Sequence, residues 1–155
     1  MLVLNVPMTG SKLEVCKVGR GRHLILYDGV CGLCNRGNQF VLRHDRRAVF
    51  DFAALQSATA RSVLGQFDRD TEALTTFYIV TDYRSESPGL LSKGRAVLFV
   101  ASTFGGVWFQ VFRMLPRGLL DFGYELVARN RYQLFGRMEN CILPSVEFRE
   151  RFLDV

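Results

Sequence analysis

Cys31 and Cys34 are the residues of this chain whose type and spacing are best suited to chemistry. Two thiols with two residues between them can close a small disulfide ring. They follow the apolar run His23-Leu24-Ile25-Leu26-Tyr27 and the turn Asp28-Gly29, and they open a stretch that reads as an amphipathic helix. A helix N-terminus supplies partial positive charge and free N–H groups, both of which stabilise a thiolate. The expected centre is one of dithiol and disulfide exchange. Cys31 is expected to be the more exposed thiol and to attack, with Cys34 resolving the mixed disulfide from within the helix.

Asp28 stands three residues before Cys31. Its carboxylate could cap the helix or form the turn, or it could take a proton from the thiol pair. The two roles pull apart, because a nearby anion disfavours a thiolate whereas a relay needs the carboxyl close to Cys34 and partly desolvated. A different class of reading treats Cys31 and Cys34 as half of a metal site. Four-ligand sites usually bring a second close pair, and here only the scattered Cys16, Cys141, His23 and His44 remain. No metal ligand and no cofactor is therefore assigned. His44 is expected to be a partly buried packing residue on the same helical face as Phe40, and His23 a structural residue at the start of a strand.

Several elements must position these groups. His23 to Tyr27 reads as a first strand, and Leu33, Gly37, Phe40, Val41 and His44 recur at helical spacing, predicting one helix face up to about Asp45. Val49 to Phe52 alternates as a short strand, and Ser57 caps a helix that Gly65 ends. Leu74 to Val80 is rich in β-branched and aromatic residues, and a turn-rich connection with Pro88 leads to a shorter strand at Leu90-Leu91, which predicts a hairpin. Helices are predicted from Arg95 to Phe104, from Trp108 to Met114 and, after Pro116, from Leu119 to about Phe135. The order β-α-β-α-β-β-α, with the cysteine pair opening the first helix, is that of an α/β thioredoxin-like fold with additional C-terminal helices. Residues 1–21 read as an irregular lead-in and 22–155 as one domain. Gly19-Arg20-Gly21 is no dinucleotide loop, since Leu24 stands where the third glycine belongs and the glycines precede the strand.

Composition bounds the function classes. A chain of 155 residues, 48% of them hydrophobic, can bury a core without disulfide staples, so four unevenly spread cysteines point to a reducing, cytoplasm-like compartment. The first fifteen residues lack the apolar core of an export signal. The net charge of +5 comes without aromatic-basic or zinc-finger patterns, so a solvated basic surface is expected and nucleic acid is not an expected partner. Ala96 to Phe112 has no charged side chain, but Gly105-Gly106 interrupts it, and two packed core helices are expected rather than a membrane span, with contact at a membrane surface left open. Trp108 and the series Phe99, Phe104, Phe109 and Phe112 are expected to pack in the core.

The motifs together resemble the thiol-disulfide oxidoreductase DCC family, a thioredoxin-like group named for its Asp, Cys, Cys signature. Tyr27-Asp28-Gly29-Val30-Cys31-Gly32-Leu33-Cys34 is similar to that signature. The likeness continues in Phe52-Ala53-Ala54-Leu55-Gln56-Ser57, in Leu91-Ser92 with Ala96, in Pro116, Asp121 and Tyr124, in Ala128-Arg129-Asn130-Arg131-Tyr132 to Phe135-Gly136, in Cys141-Ile142-Leu143-Pro144 and in Arg151-Phe152-Leu153. It covers about residues 23 to 153. The resemblance implies a thioredoxin-like fold and protein-disulfide oxidoreductase activity carried by Asp28, Cys31 and Cys34, with a protein disulfide or thiol as substrate and an external thiol as reductant. A non-enzymatic metal-binding or redox-sensing interaction module is the alternative. The chain departs from thioredoxins proper: Val30 replaces their Trp, Leu33 replaces their Pro, and the place of their cis-proline falls near Thr75 or Thr76. Arg129-Asn130-Arg131-Tyr132 reads either as a network locking the C-terminal helices or as a binding group near the thiols. Cys141 reads as a third redox thiol or as a buried structural one.

Overall fold

The computed structural model describes residues 21–69, 76–105, 114–137 and 146–154. Its centre is β1 (His23–Tyr27), whose last four residues are all buried. A strand covered on both faces reads as a continuous apolar run rather than an alternation, which is what Leu24-Ile25-Leu26-Tyr27 shows. β1 pairs in parallel with β2 (Phe50–Ala54) and antiparallel with β3 (Tyr78–Thr81), which pairs antiparallel with β4 (Gly89–Ser92). The sheet order is β2-β1-β3-β4. The β3–β4 hairpin is the one the sequence predicts, and the parallel β1–β2 pair suits the predicted strand-helix-strand order. β3 begins later than the predicted Leu74, and residues 70–75 lie outside the described part.

Successive side chains of β1 feed two cores. Ile25 and Tyr27 pack with Phe50, Phe52 and Ile79 against α1 (Gly32–His44) and α3 (Lys93–Phe104), through Val41, Leu42 and Ala96. Leu24 and Leu26 pack with Ala53 and Val80 against α2 (Ala58–Gly65), through Ala60 and Leu64. Each Leu, Ile, Val or Phe side chain so removed from water contributes about 1.5–3 kcal/mol. Ser57 caps α2 as predicted, its hydroxyl accepting the Ala60 N–H at 3.1 Å. Phe99 and Phe104 pack on the first core, whereas Trp108, Phe109 and Phe112 lie outside the described residues. No helix among the described residues is long and apolar enough to cross a membrane.

α4 (Arg117–Phe135) packs against α1 and α3, and this brings its C-terminal turn to the start of α1. A 3-10 turn, Val146–Arg151, runs beside β2. Arg151 donates to the Phe50 carbonyl at 2.7 and 2.9 Å and pairs with the buried Asp45, whose carboxylate also accepts the Val49 and Phe50 N–H groups. The Leu153 N–H bonds the Phe52 carbonyl at 2.9 Å, and Phe152 stacks on Phe52 with ring centroids 5.0 Å apart. The outer edge of β2 is thereby covered, which protects a strand edge that would otherwise template pairing with another chain.

The predicted face of α1 requires correction. Its buried residues are Gly32, Asn35, Asn38, Val41 and Leu42, while Gly37, Phe40 and His44 are exposed. Phe40 and His44 instead stack on each other, centroids 4.1 Å apart, beside Phe104. The helix is rotated from the apolar reading because its N-terminal half faces a polar loop, and only its last turns face the core.

Candidate dithiol site

β1 ends at Tyr27, and the chain turns at once into α1. Within this turn the Cys31 N–H bonds the Asp28 carbonyl at 3.2 Å, and the Val30 N–H bonds Asp28 Oδ1 at 3.2 Å. Asp28 therefore shapes the turn with its own side chain, and the helix cap is a different residue. Cys31 is the N-cap, with φ −86° and ψ 116°, and its sulfur accepts the Cys34 N–H at 3.3 Å. The nucleophile candidate thus satisfies one of the donors that every helix start leaves open.

Two amides brace the turn from either side. Asn35 Nδ2 donates to the Gly29 carbonyl at 3.1 Å from the first turn of α1. Gln56, just beyond β2, accepts the Gly29 N–H at 3.3 Å and donates to Asp28 Oδ1 at 2.9 Å. Neither amide was singled out for its chemistry in the sequence. Gln56 was visible only as part of the family-like block after the second strand, because its role depends on β2 lying beside β1.

The other wall comes from α4. Arg131 Nη2 donates to Asp28 Oδ2 at 3.0 Å and to the Tyr132 hydroxyl at 2.8 Å, and that hydroxyl donates to Asp28 Oδ2 in a short hydrogen bond. Asp28 and Arg131 are both buried. The Arg131 guanidinium lies 4.7 Å from the centre of the Tyr132 ring, and that of Arg137 lies 5.2 Å from it. Beyond the helix, the Gly136 carbonyl accepts the Gly32 N–H at 3.3 Å, and Arg137 forms an antiparallel bridge with Cys31. The Arg129 to Tyr132 cluster therefore divides. Arg131 and Tyr132 join the loop that carries the thiols, while Asn130 bonds the Leu126 carbonyl of its own helix and Arg129 faces solvent.

This cover overturns the expected exposure of the two thiols. Cys31 is 0% exposed, and Cys34 is the partly exposed one. A helix start is ordinarily open, but here the Phe135–Arg137 segment lies over it. The approach is close enough to demand glycine: a Cβ on residue 32 would stand 2.3 Å from the Phe135 carbonyl oxygen.

The electrostatics separate the thiols. Cys31 is lowered to about 6, first by the hydrogen bond from the Cys34 thiol, then by the Cys34 N–H and the Arg131 charge, against opposing effects of burial and Asp28. Cys34 moves up, because it is the donor in that bond, is partly buried and faces a charged sulfur. Burial, followed by the hydrogen bond to Asp28, also pushes the Tyr132 phenol up, so it stays a donor. One thiolate and one thiol at neutral pH is a set suited to attack followed by resolution.

His23 packs on Phe99 and Phe50, and its Nδ1 accepts the Asp82 N–H at 3.1 Å. Cys16, Cys141 and Thr75 fall outside the described residues, and Thr76 is half-buried just before β3. Among the described residues no three His, Cys, Asp or Glu side chains gather where they could hold a metal ion.

The chain is 33% identical over 132 residues to the uncharacterized protein YuxK of Bacillus subtilis, covering 84% of this chain and 93% of that one. It is 36% identical over 126 residues to a chloroplastic DCC family protein of Arabidopsis thaliana, covering 79% and 70% respectively. No solved structure is significantly similar. The family model described as DCC1-like thiol-disulfide oxidoreductase matches residues 25–137, a span that starts within β1 and ends on the residue bridging Cys31. With its signature cysteines at the start of α1 and its α4 motif closing over them, the chain belongs to the DCC1-like thiol-disulfide oxidoreductase family.

Proposed function

We propose that this protein is a thiol-disulfide oxidoreductase of the protein-disulfide reductase type, working in a reducing, cytoplasm-like compartment. The observation that carries the reading is the placement of the pair: Cys31 caps the start of α1, its sulfur accepting the Cys34 N–H at 3.3 Å, and its titration is lowered to about 6. In the first step the Cys31 thiolate attacks a substrate disulfide, the Cys31–substrate S–S bond forms, and the substrate's other sulfur leaves as a thiolate. In the second, the Cys34 proton passes to a base such as that departing thiolate, Cys34 attacks Cys31, and the ring disulfide forms as the second substrate thiolate leaves. An external dithiol then returns both electrons by the same exchange chemistry. Because Cys31 is covered, the Phe135–Arg137 segment must yield for a bulky disulfide to reach the sulfur.

Insulin reduction driven by dithiothreitol tests the reading. Wild type should accelerate precipitation of the insulin B chain and Cys31→Ser should not, while Cys34→Ser should accumulate a mixed disulfide visible by mass spectrometry. Equal rates for wild type and Cys31→Ser would refute it.

A further inference from the structure

The signature carboxylate presents a difficulty for a thiolate, since a buried anion one turn away opposes negative charge on sulfur. In this fold Asp28 does not stand alone. Its side chain accepts four donations, from the Val30 N–H, Gln56 Nε2, Arg131 Nη2 and the Tyr132 hydroxyl. A carboxylate so saturated has no free lone pair with which to collect a proton from Cys34. The only cation among these donors is Arg131, which reaches the loop from a helix 103 residues further along the chain and is 5% exposed at its side chain. α1 contributes no acidic residue, and its N-terminus adds positive charge.

We propose that Arg131 is a positioning residue of the dithiol site, held by Asp28 and Tyr132 so that it neutralises the signature carboxylate and leaves the surroundings of Cys31 net positive. Asp28 then serves as the holder of Arg131 and not as a proton relay. Buried ion pairs cost desolvation and are weak grounds for stability alone, so a use in the chemistry accounts for the pair better than a mere tie between α4 and the loop. The groups bearing on Cys31 are Cys34 from α1, Asp28 from the loop and Arg131 from α4, with Tyr132 beside Arg131, Arg137 against the Tyr132 ring and Tyr124 near Cys34. The inference rests on the dithiol reading above.

The test is the pH dependence of Cys31 alkylation by iodoacetamide, a neutral probe, on fully reduced protein, resolved from the other cysteines by peptide mass spectrometry. Loss of an opposite charge at this range moves a titration by about one unit or more, so Arg131→Gln should cut Cys31 alkylation near pH 6 by about fivefold or more and shift its midpoint upward. Arg131→Lys should restore most of the rate. Asp28→Asn, which removes the anion and keeps the cation, should move the midpoint downward, and it serves as the second variant should Arg131→Gln fail to fold. An unchanged midpoint in a folded Arg131→Gln, or an upward shift in Asp28→Asn, would overturn the inference. If instead wild-type Cys31 titrates like an ordinary thiol, the dithiol reading itself falls.

Discussion

Replacing Gly32 by alanine probes the contact that closes the site. The added Cβ would meet the Phe135 carbonyl oxygen at 2.3 Å, the Gly136 oxygen at 3.2 Å and the Phe135 carbonyl carbon at 3.3 Å, all backbone atoms that cannot rotate away. The end of α4 must retreat by about 1 Å, a form of overpacking that costs about 1–3 kcal/mol. The Gly32 N–H to Gly136 bond, worth about 0.5–1.5 kcal/mol, is weakened with it. Against this stands the gain of about 0.5–1 kcal/mol for alanine over glycine inside a helix. The net expectation is a loss of about 1–3 kcal/mol, read as a fall in Tm of about 2–12 °C for a domain of this size. Gly37 supplies the control, because it lies in the same helix and a Cβ there meets nothing within 4 Å. Gly37→Ala should raise Tm slightly. Differential scanning fluorimetry on the reduced proteins gives both values, and iodoacetamide labelling at fixed pH should show Cys31 reacting faster in Gly32→Ala. If Gly32→Ala proves as stable as Gly37→Ala, the close approach of α4 to Cys31 is wrong.

Other outcomes follow from the same geometry. The folded-state titration of Cys31 lies at about 6, below its ordinary value of 9.0, while that of Cys34 lies above it. The unfolded chain therefore holds one more proton than the folded one between about pH 6 and 9, and one fewer above. Reduced protein should gain stability as pH rises through that window and lose it beyond, with a maximum near pH 9; denaturant melts of reduced against oxidised protein check this, and identical pH profiles would contradict it. Arg151→Met leaves the buried Asp45 without its cation, and breaking such a pair costs about 3–5 kcal/mol, measurable by urea denaturation. The variant's Cys31 titration should be unchanged, since Arg151 lies along β2 and away from the thiols. Tyr124→Phe removes the acceptor of the Phe77 N–H bond at 2.8 Å and should cost about 0.5–1.5 kcal/mol in the same assay.

Local grammar made much of this architecture legible. Leu24 to Tyr27 marked the central strand, Ser57 and Gly65 bracketed α2, and the cysteine pair after a strand and turn placed the candidate site at a helix start. What remained hidden is non-local. The burial of Cys31 depends on Phe135 to Arg137, about a hundred residues away, and no spacing within α1 announces it. Apolar periodicity chose the wrong side of α1 because two polar residues, Asn35 and Asn38, lie on its buried side, Asn35 bonding the Gly29 carbonyl. Asp28 was visible as a signature residue, yet its environment was not: the guanidinium and phenol that surround it come from α4, and Gln56 from just beyond the neighbouring strand. Sequence pointed to the candidate thiols, and the tertiary fold shows what surrounds and covers each.

The cap at Cys31 ties the firmness of the helix start to the state of its sulfur. A sulfur in a disulfide is a poorer acceptor than a thiolate, so when Cys31 bonds to another sulfur the Cys34 amide loses the strength of its partner and the first turn of α1 is less firmly tied. That turn is braced by Asn35 to the Gly29 carbonyl and joined through Gly32 to the end of α4. Loosening there reaches the surface that covers the thiols. The dithiol and disulfide states thus have two differently fastened helix ends, and the amide of Cys34, followed by hydrogen exchange, reports which state the cysteine pair is in.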